Sequence, residues 1–263
     1  MNGTLVLLHG VASNSTRWAE FAERTRLKDN WLVLRPDLRG NGAAASPRTR
    51  LGMDVWCGDI AALLDAERSE RAVIGGHCLG ANIALQFAAR YPQRVRALVL
   101  IEPMPPEALT GTAGWLSLLR PVLYLIYGAA RAFNSCGIYR RRLERLDLRE
   151  LDRARRSGER KLSMLASLGV DLGSTPLAAY AGMLAATAEP WPDVAAIRVP
   201  VLALISSRSS MTDPGRTRRA LARLPDCDLV ELDAVHWIPT EQPDAMRTAI
   251  EDWLSRRGPE TAP

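Results

Sequence analysis

The chain has 263 residues, 47% of them hydrophobic, enough to bury one large core or a core with an insertion. Its 17 prolines and 19 glycines are dispersed, which excludes a linker, a low-complexity tract or an internal repeat. Net charge is +5, and no nucleic-acid-binding module or aromatic interleaving accompanies the arginines, so no nucleic-acid partner is expected. Cys57, Cys78, Cys136 and Cys227 have irregular spacing that suggests neither a disulfide framework nor a zinc ribbon, and reduced thiols are expected. The three histidines are scattered, so no metal is implied. There is no phosphate loop, and no cofactor is expected. The apolar run Leu5 to Leu8 is too short for a secretory leader and no basic region precedes it; a cytoplasmic location is expected.

In chain order, a buried-type strand over Thr4–Leu8 ends in His9-Gly10-Val11-Ala12. A helix over Thr16–Leu27 and a strand over Trp31–Arg35 follow, then the loop Pro36-Asp37-Leu38-Arg39-Gly40-Asn41-Gly42. Met53–Glu67 is helical, with Val55, Ile60, Leu63 and Leu64 on one side. The short strand Ala72–Ile74 leads through Gly75-Gly76-His77-Cys78-Leu79-Gly80 into a helix that runs to Tyr91, and Val95–Ile101 is the next strand. Pro103 to about Pro192 holds helical patterns without a convincing strand: Trp115–Phe133, Tyr139–Arg156, Lys161–Leu168 and Pro176–Ala188. Strand and helix alternation resumes with Val201–Ser206, Pro214–Arg223, Asp228–Leu232 and Pro243–Arg256. Alternation of this kind predicts a parallel, doubly wound sheet with its chemistry at the carboxyl ends of the strands.

Two stretches of the central region stand out. Trp115–Phe133 is apolar almost all round but interrupted by Arg120 and Pro121, too broken for a membrane span, and is expected to be a helix packed on both sides. It would either wall an apolar substrate pocket or be ordinary packed core. Ile138–Lys161 holds ten basic residues against five acidic ones, a surplus equal to that of the whole chain. A solvated face with i,i+4 ion pairs is the favoured reading; steering of an acidic partner is the alternative.

The turn around Cys78 carries the chemistry. Glycines at minus two and plus two, Gly76 and Gly80, are what a central residue at positive φ needs when neighbouring side chains would collide with the strand or helix. This is the geometry of a nucleophile elbow, and here the chain resembles the α/β-hydrolase superfamily. The strand ending in His9-Gly10, the PDLRGxG loop and the late His236-Trp237 with Glu241-Gln242-Pro243 resemble that family too. The resemblance implies a sheet of about six strands starting on the HG strand. It also implies core segments over 1–102 and 193–263, with a helical cap over 103–192. His236 would be the base, and the backbone N–H groups of Val11 and Leu79 the oxyanion hole. His9 and His77 would be structural, as would Asp37.

Two departures from the family pattern matter. Cys78 stands where the family usually has serine, and Ser206-Ser207-Arg208-Ser209-Ser210 occupies the positions that usually hold the acid. The minority arrangement found in haloalkane dehalogenases and some lipases would place the acid at Glu102, after the strand Val95–Ile101. Asp213 would serve if its loop folds back; otherwise it caps the helix at Pro214. Glu102 is preferred.

A cysteine nucleophile would be activated by His236 and by the helix starting at Leu79, and its acyl thioester is more reactive toward amines, thiols and carbanions than an oxygen ester. The expected function is therefore acyl transfer or ester or thioester cleavage, as in biosynthetic thioesterases, cyclases or acyltransferases. The donor would be a small-molecule acyl substrate such as a coenzyme A thioester, or an acidic acyl carrier protein met by the basic segment. The alternatives are a carboxylic-ester hydrolase whose serine has been replaced by cysteine, and a non-catalytic member of the fold that binds a ligand or partner. A haloalkane dehalogenase relative fits poorly, because that chemistry needs an aspartate nucleophile.

Overall fold

A computed structural model describes residues 3–46, 48–136, 147–148 and 164–257, without the side chains of 164–168. Six strands, β1 Gly3–Leu8, β2 Trp31–Leu34, β3 Ala72–His77, β4 Val95–Ile101, β5 Val201–Ser206 and β6 Cys227–Leu232, form one sheet in the order β2-β1-β3-β4-β5-β6. Every pairing is parallel. The helices are α1 Ala19–Arg24, α2 Met53–Ala66, α3 Leu79–Arg90, α4 Trp115–Ser135, α5 Met164–Ser174, α6 Leu177–Thr187, α7 Pro214–Leu221, α8 Ile238–Glu241 and α9 Pro243–Arg257. The expected α/β-hydrolase sheet is thus present.

Both faces of the sheet are covered, which is why its strands read as apolar runs rather than as alternating patterns. Val6, Leu8, Ile74, Leu98 and Leu100 pack under Trp56, Ile60 and Leu64 of α2 and Ile83 and Phe87 of α3. The alternate residues Leu5, Leu7, Val73, Val99 and Leu202 pack against Trp18, Phe21, Ile250 and Trp253 on the opposite face. At about 1.5–3 kcal/mol for each large apolar side chain buried, these two layers fix the strand ends to which the site residues are attached.

The helix expected over Thr16–Leu27 is broken. Residues Ser15–Trp18 and Arg26–Asp29 are short 3₁₀ turns flanking α1, and Thr25 between them is extended (ψ 139°). Glu251 of α9 causes the break, because its Oε1 accepts from Thr25 Oγ1 and Arg26 N, both at 2.8 Å, and competes for groups a continuous helix would use internally.

Between β4 and β5 the described elements are helical. α4 and α6 pack together, with the Tyr127 ring over Gly182 and its hydroxyl accepting from Leu51 N at 2.9 Å. We propose that 103–192 forms a cap on a core of 1–102 and 193–263. The segment expected over Lys161–Leu168 is instead placed as α5, which runs through Gly169 and Gly173. The basic helix expected over Tyr139–Arg156 lies outside the described residues, apart from Asp147 and Leu148. Among the described residues α4 is packed on one face only, against α6, while Trp115, Leu118, Val122, Leu125 and Phe133 are exposed, which differs from the helix packed on both sides that the sequence suggests. Among the described residues, no helix is long and apolar enough to cross a membrane.

Candidate active site

β3 ends at His77, and the chain turns into α3 through Cys78, whose φ of 56° and ψ of −119° lie in a region side chains rarely adopt. The two flanking glycines make this possible. A Cβ on Gly76 would fall on the Gly80 carbonyl, and one on Gly80 would fall on the Leu8 carbonyl of β1. The Cys78 N–H donates to Ile101 O at 2.9 Å, so the strained residue is held by the neighbouring strand β4.

The residue that follows β4 after Ile101 is Glu102, also at positive φ (48°) and 2% exposed. Its N–H still donates to Leu204 O at 2.8 Å, continuing the sheet ladder, while the side chain turns over the strand ends. There Oε2 accepts from His236 Nδ1 at 3.1 Å and from Ser209 Oγ at 3.0 Å, and Oε1 accepts from the Ser206 N–H. Ser206, the last residue of β5, and Ser209 in the loop after it lie in the stretch where the family's usual aspartate is missing, so that stretch supplies donors to a carboxylate from the end of the neighbouring strand. Asp213 is elsewhere occupied: its Oδ1 accepts from Arg216 N at 2.7 Å and caps α7.

His236 is fully buried, and its backbone is bracketed on both sides. Glu241 Oε2 accepts from Val235 N and Oε1 from Trp237 N, each at 2.8 Å, which gives the EQP segment a mechanical role. His77 Nε2 donates to the His236 carbonyl at 3.0 Å. Burial, and then the adjacent His236, push the His77 pKa well below the usual imidazole range, so His77 is a neutral strut. For His236 burial also works downward, but the Cys78 sulfur and the Glu102 carboxylate outweigh it and raise the ring to about 9. With Nδ1 committed to Glu102, the buried Nε2 has no conventional hydrogen bond and is the nitrogen left for the sulfur.

The HG loop approaches from β1. A Cβ on Gly10 would lie 3.2 Å from the Cβ of Cys78, so this backbone passes directly beside the sulfur-bearing residue. His9 sets its path: Nε2 accepts from Leu38 N and Nδ1 donates to Gly10 O, both at 2.9 Å, and burial lowers its pKa to about 4, fixing the neutral ring. Asp37 accepts from Ser15 N at 2.6 Å and Ala43 N at 2.7 Å, holding the loop behind. Val11 follows Gly10, and Leu79 opens α3, where its N–H has by position no intrahelical acceptor.

Asn82 was not singled out in the sequence, yet it ties the site together. Its Nδ2 donates to Met104 O at 2.9 Å and Thr187 O at 3.2 Å, and its Oδ1 accepts from Met104 N at 3.0 Å and Trp191 Nε1 at 3.1 Å. One buried amide thus joins the elbow helix to the chain leaving Glu102 and to the end of α6. The sequence signal was a polar stripe, Asn82, Gln86 and Arg90 at successive turns of an otherwise apolar helix. Cys78 itself, 7% exposed, lies in an apolar ring of Met104, Leu109, Ala113 and Ala188 with Leu116 and Met211 at the edge. Among the described residues, no group of histidine, cysteine, aspartate and glutamate side chains could hold a metal ion.

A strained elbow between strand and helix, an HG loop beside it and a histidine after the last strand define a class, and the family model described as alpha/beta hydrolase fold matches residues 3–243. The chain belongs to this family. Over 97 residues it is 35% identical to an uncharacterized protein of Mycobacterium tuberculosis, covering 37% of this chain and 28% of that one. Over 99 residues it is 35% identical to 2-hydroxymuconate semialdehyde hydrolase of a Pseudomonas species, covering 37% and 35%. The matched stretch therefore spans about a third of either relative. The fold is similar to that of a thermophilic esterase from Thermogutta terrifontis, with a TM-score of 0.69 at 23% identity over 97% of this chain and 90% of that one.

Proposed function

We propose that the chain is an acyl-transferring or ester- or thioester-cleaving enzyme that works through an acyl-cysteine intermediate. Cys78 is the nucleophile, His236 the base and Glu102 the acid that orients it. The observation that carries the reading is the buried bond between Glu102 Oε2 and His236 Nδ1, which leaves Nε2 for the sulfur of a residue at positive φ. Asp213, engaged at α7, is assigned only the cap. The hydrolase relative supports bond cleavage as the baseline reaction.

In the proposed cycle, Nε2 takes the thiol proton and the thiolate attacks the acyl carbonyl carbon. The developing oxyanion is met by the N–H groups of Val11 and Leu79. Collapse breaks the bond to the leaving alcohol or thiol, which receives the proton from Nε2 and departs. His236 then deprotonates water, an amine or a thiol, which attacks the thioester carbonyl; collapse returns the electron pair and proton to Cys78. The apolar ring of Met104, Leu109, Ala113 and Ala188 favours an apolar acyl group. A coenzyme A thioester or a carrier-bound thioester fits the donor role.

The test is to incubate the protein with short- and medium-chain acyl thioesters and weigh it intact. A mass increase equal to the acyl group, absent in Cys78→Ala, is expected. Failure to form an adduct with any acyl donor, with alkylation showing the thiol to be intact, would favour a non-catalytic binding protein. Comparing release by water with release by added amines or thiols then separates hydrolysis from transfer.

A further inference from the structure

A cavity of about 1150 Å³ opens at the end of the sheet away from Cys78. Arg71 precedes β3, Arg96 lies at the start of β4, Pro200 precedes β5 and Asp226 precedes β6, and all four line it. The proposed triad sits beyond the carboxyl ends of the same strands. β3 spans six residues rising about 3.3 Å each, so the cavity stands about 20 Å from the thiol. Nothing in the proposed acylation cycle uses it.

The lining is part apolar, with Pro92, Ile197 and Val199, and part charged. Its two acids are already engaged. Asp226 accepts from Arg257 Nη1 at 2.8 Å and Nη2 at 2.7 Å, while Asp193 Oδ1 accepts from Ala195 N at 3.2 Å and lies 3.9 Å from Arg223. Two of the cations are not neutralised. Among the described residues the Arg198 side chain makes no hydrogen bond or ion pair, and that of Arg71 donates only to the Val95 carbonyl, at 3.0 Å. Arg96 is an extra residue in its strand: Ala72 pairs with Val95 and Val73 with Ala97, so Arg96 forms a bulge, and its guanidinium lies 5.5 Å from the centre of the Trp31 ring. Burial, and then the positive charge of Arg71, lower its pKa from the usual guanidinium range. Like charges held together on a cavity wall are relieved when an anion binds between them.

The charge and shape of the cavity identify the ligand class. Four arginines against two aspartates leave a surplus of two positive charges, which matches a phosphate monoester, whose charge at neutral pH is about −1.5 to −2. The guanidinium fork binds phosphate oxygens in pairs. A concave site with apolar walls beside the cations suits a small molecule with an apolar part, which a flat basic face would not select. We propose that this cavity binds an organic phosphate with an apolar body, the phosphate held by Arg71, Arg96 and Arg198 and the body against Pro92, Ile197 and Val199. The site is separate from the triad and does not depend on acyl-cysteine chemistry.

The test is calorimetric titration of the full chain with naphthyl phosphate, beside naphthol and inorganic phosphate. The dissociation constant for naphthyl phosphate should be at least about tenfold lower than for either of its parts, and should rise in about 0.5 M salt, where charge attraction is screened. The double variant Arg71→Gln, Arg198→Gln should bind at least about tenfold more weakly, because charged contacts to the phosphate are lost. Its circular dichroism and melting temperature should stay unchanged, since both side chains are exposed. Absence of binding at millimolar naphthyl phosphate overturns the proposal, and so does undiminished binding by the folded double variant. Equal affinity for inorganic phosphate and naphthyl phosphate also overturns it, and makes the cavity a basic patch open to any anion. If the double variant binds as the parent does and naphthyl phosphate slows alkylation of Cys78 by iodoacetamide, the ligand sits at the thiol instead.

Discussion

Replacing Glu102 with glutamine keeps the shape of the side chain and removes its charge. Three donors converge on the carboxylate: His236 Nδ1, Ser209 Oγ and Ser206 N. An amide offers one oxygen, so at least one of these donors must face an NH2 group. A buried hydrogen bond to a charged group contributes about 1.5–3 kcal/mol, so Glu102→Gln should cost about 2–4 kcal/mol in a denaturant titration. If the amide NH2 faces His236, the ring must take the opposite tautomer, with Nε2 protonated toward Cys78 and unable to accept its proton. A wrong tautomer of this kind costs about ten-thousandfold in rate in a comparable triad. The assay is the rate of Cys78 acylation by an activated ester, followed by intact mass, beside Asp213→Asn. Asparagine caps a helix as well as aspartate does, so that variant should stay within about 0.5 kcal/mol of the parent and acylate normally. Equal acylation rates in the two variants, or a greater loss in Asp213→Asn, would refute the assignment of the acid.

Two further outcomes follow from the site. Because the folded-state pKa of His236 is raised from 6.5 to about 9, its stabilising contribution is complete below pH 6.5 and is lost as pH climbs through 9. The denaturation midpoint should fall over that window, and His236→Gln should abolish this part of the pH dependence. Acylation, which needs the imidazolium to protonate the leaving group, should decline above about pH 9, whereas alkylation of Cys78 by iodoacetamide should not. Asn82→Leu strands the hydrogen-bonding groups of Met104, Thr187 and Trp191 and should cost about 4 kcal/mol by chemical denaturation. A loss below about 1 kcal/mol would show that water replaces the amide without penalty.

What could be read from the sequence was local. Gly76 and Gly80 flank Cys78 within five consecutive positions, and their reason, clearance from a carbonyl on either side, is a short-range steric fact. The parallel sheet was legible because its strands are apolar runs separated by helical patterns. The choice between Glu102 and Asp213 was not, since Glu102 and His236 are 134 positions apart and meet only when β4 is laid beside β5. Ser209 could not be recognised as a donor before that pairing was known. The break at Thr25 depends on Glu251, which comes from the far end of the chain. For α4, the apolar composition was plain, but which face meets α6 and which meets solvent is settled by packing.

With its carboxylate drawn from β4, the proposed triad leaves the loop after β5 with a lighter duty. The last residue of β5 contributes one main-chain N–H and the loop one hydroxyl, with no formal charge. The first of these is a group every residue but proline possesses. Position 206, fully buried with its own hydroxyl unpartnered, can therefore exchange among small side chains without disarming the centre, whereas position 102 tolerates almost none. Divergence among close kin of this protein should accordingly be permissive on one strand end and frozen on its neighbour.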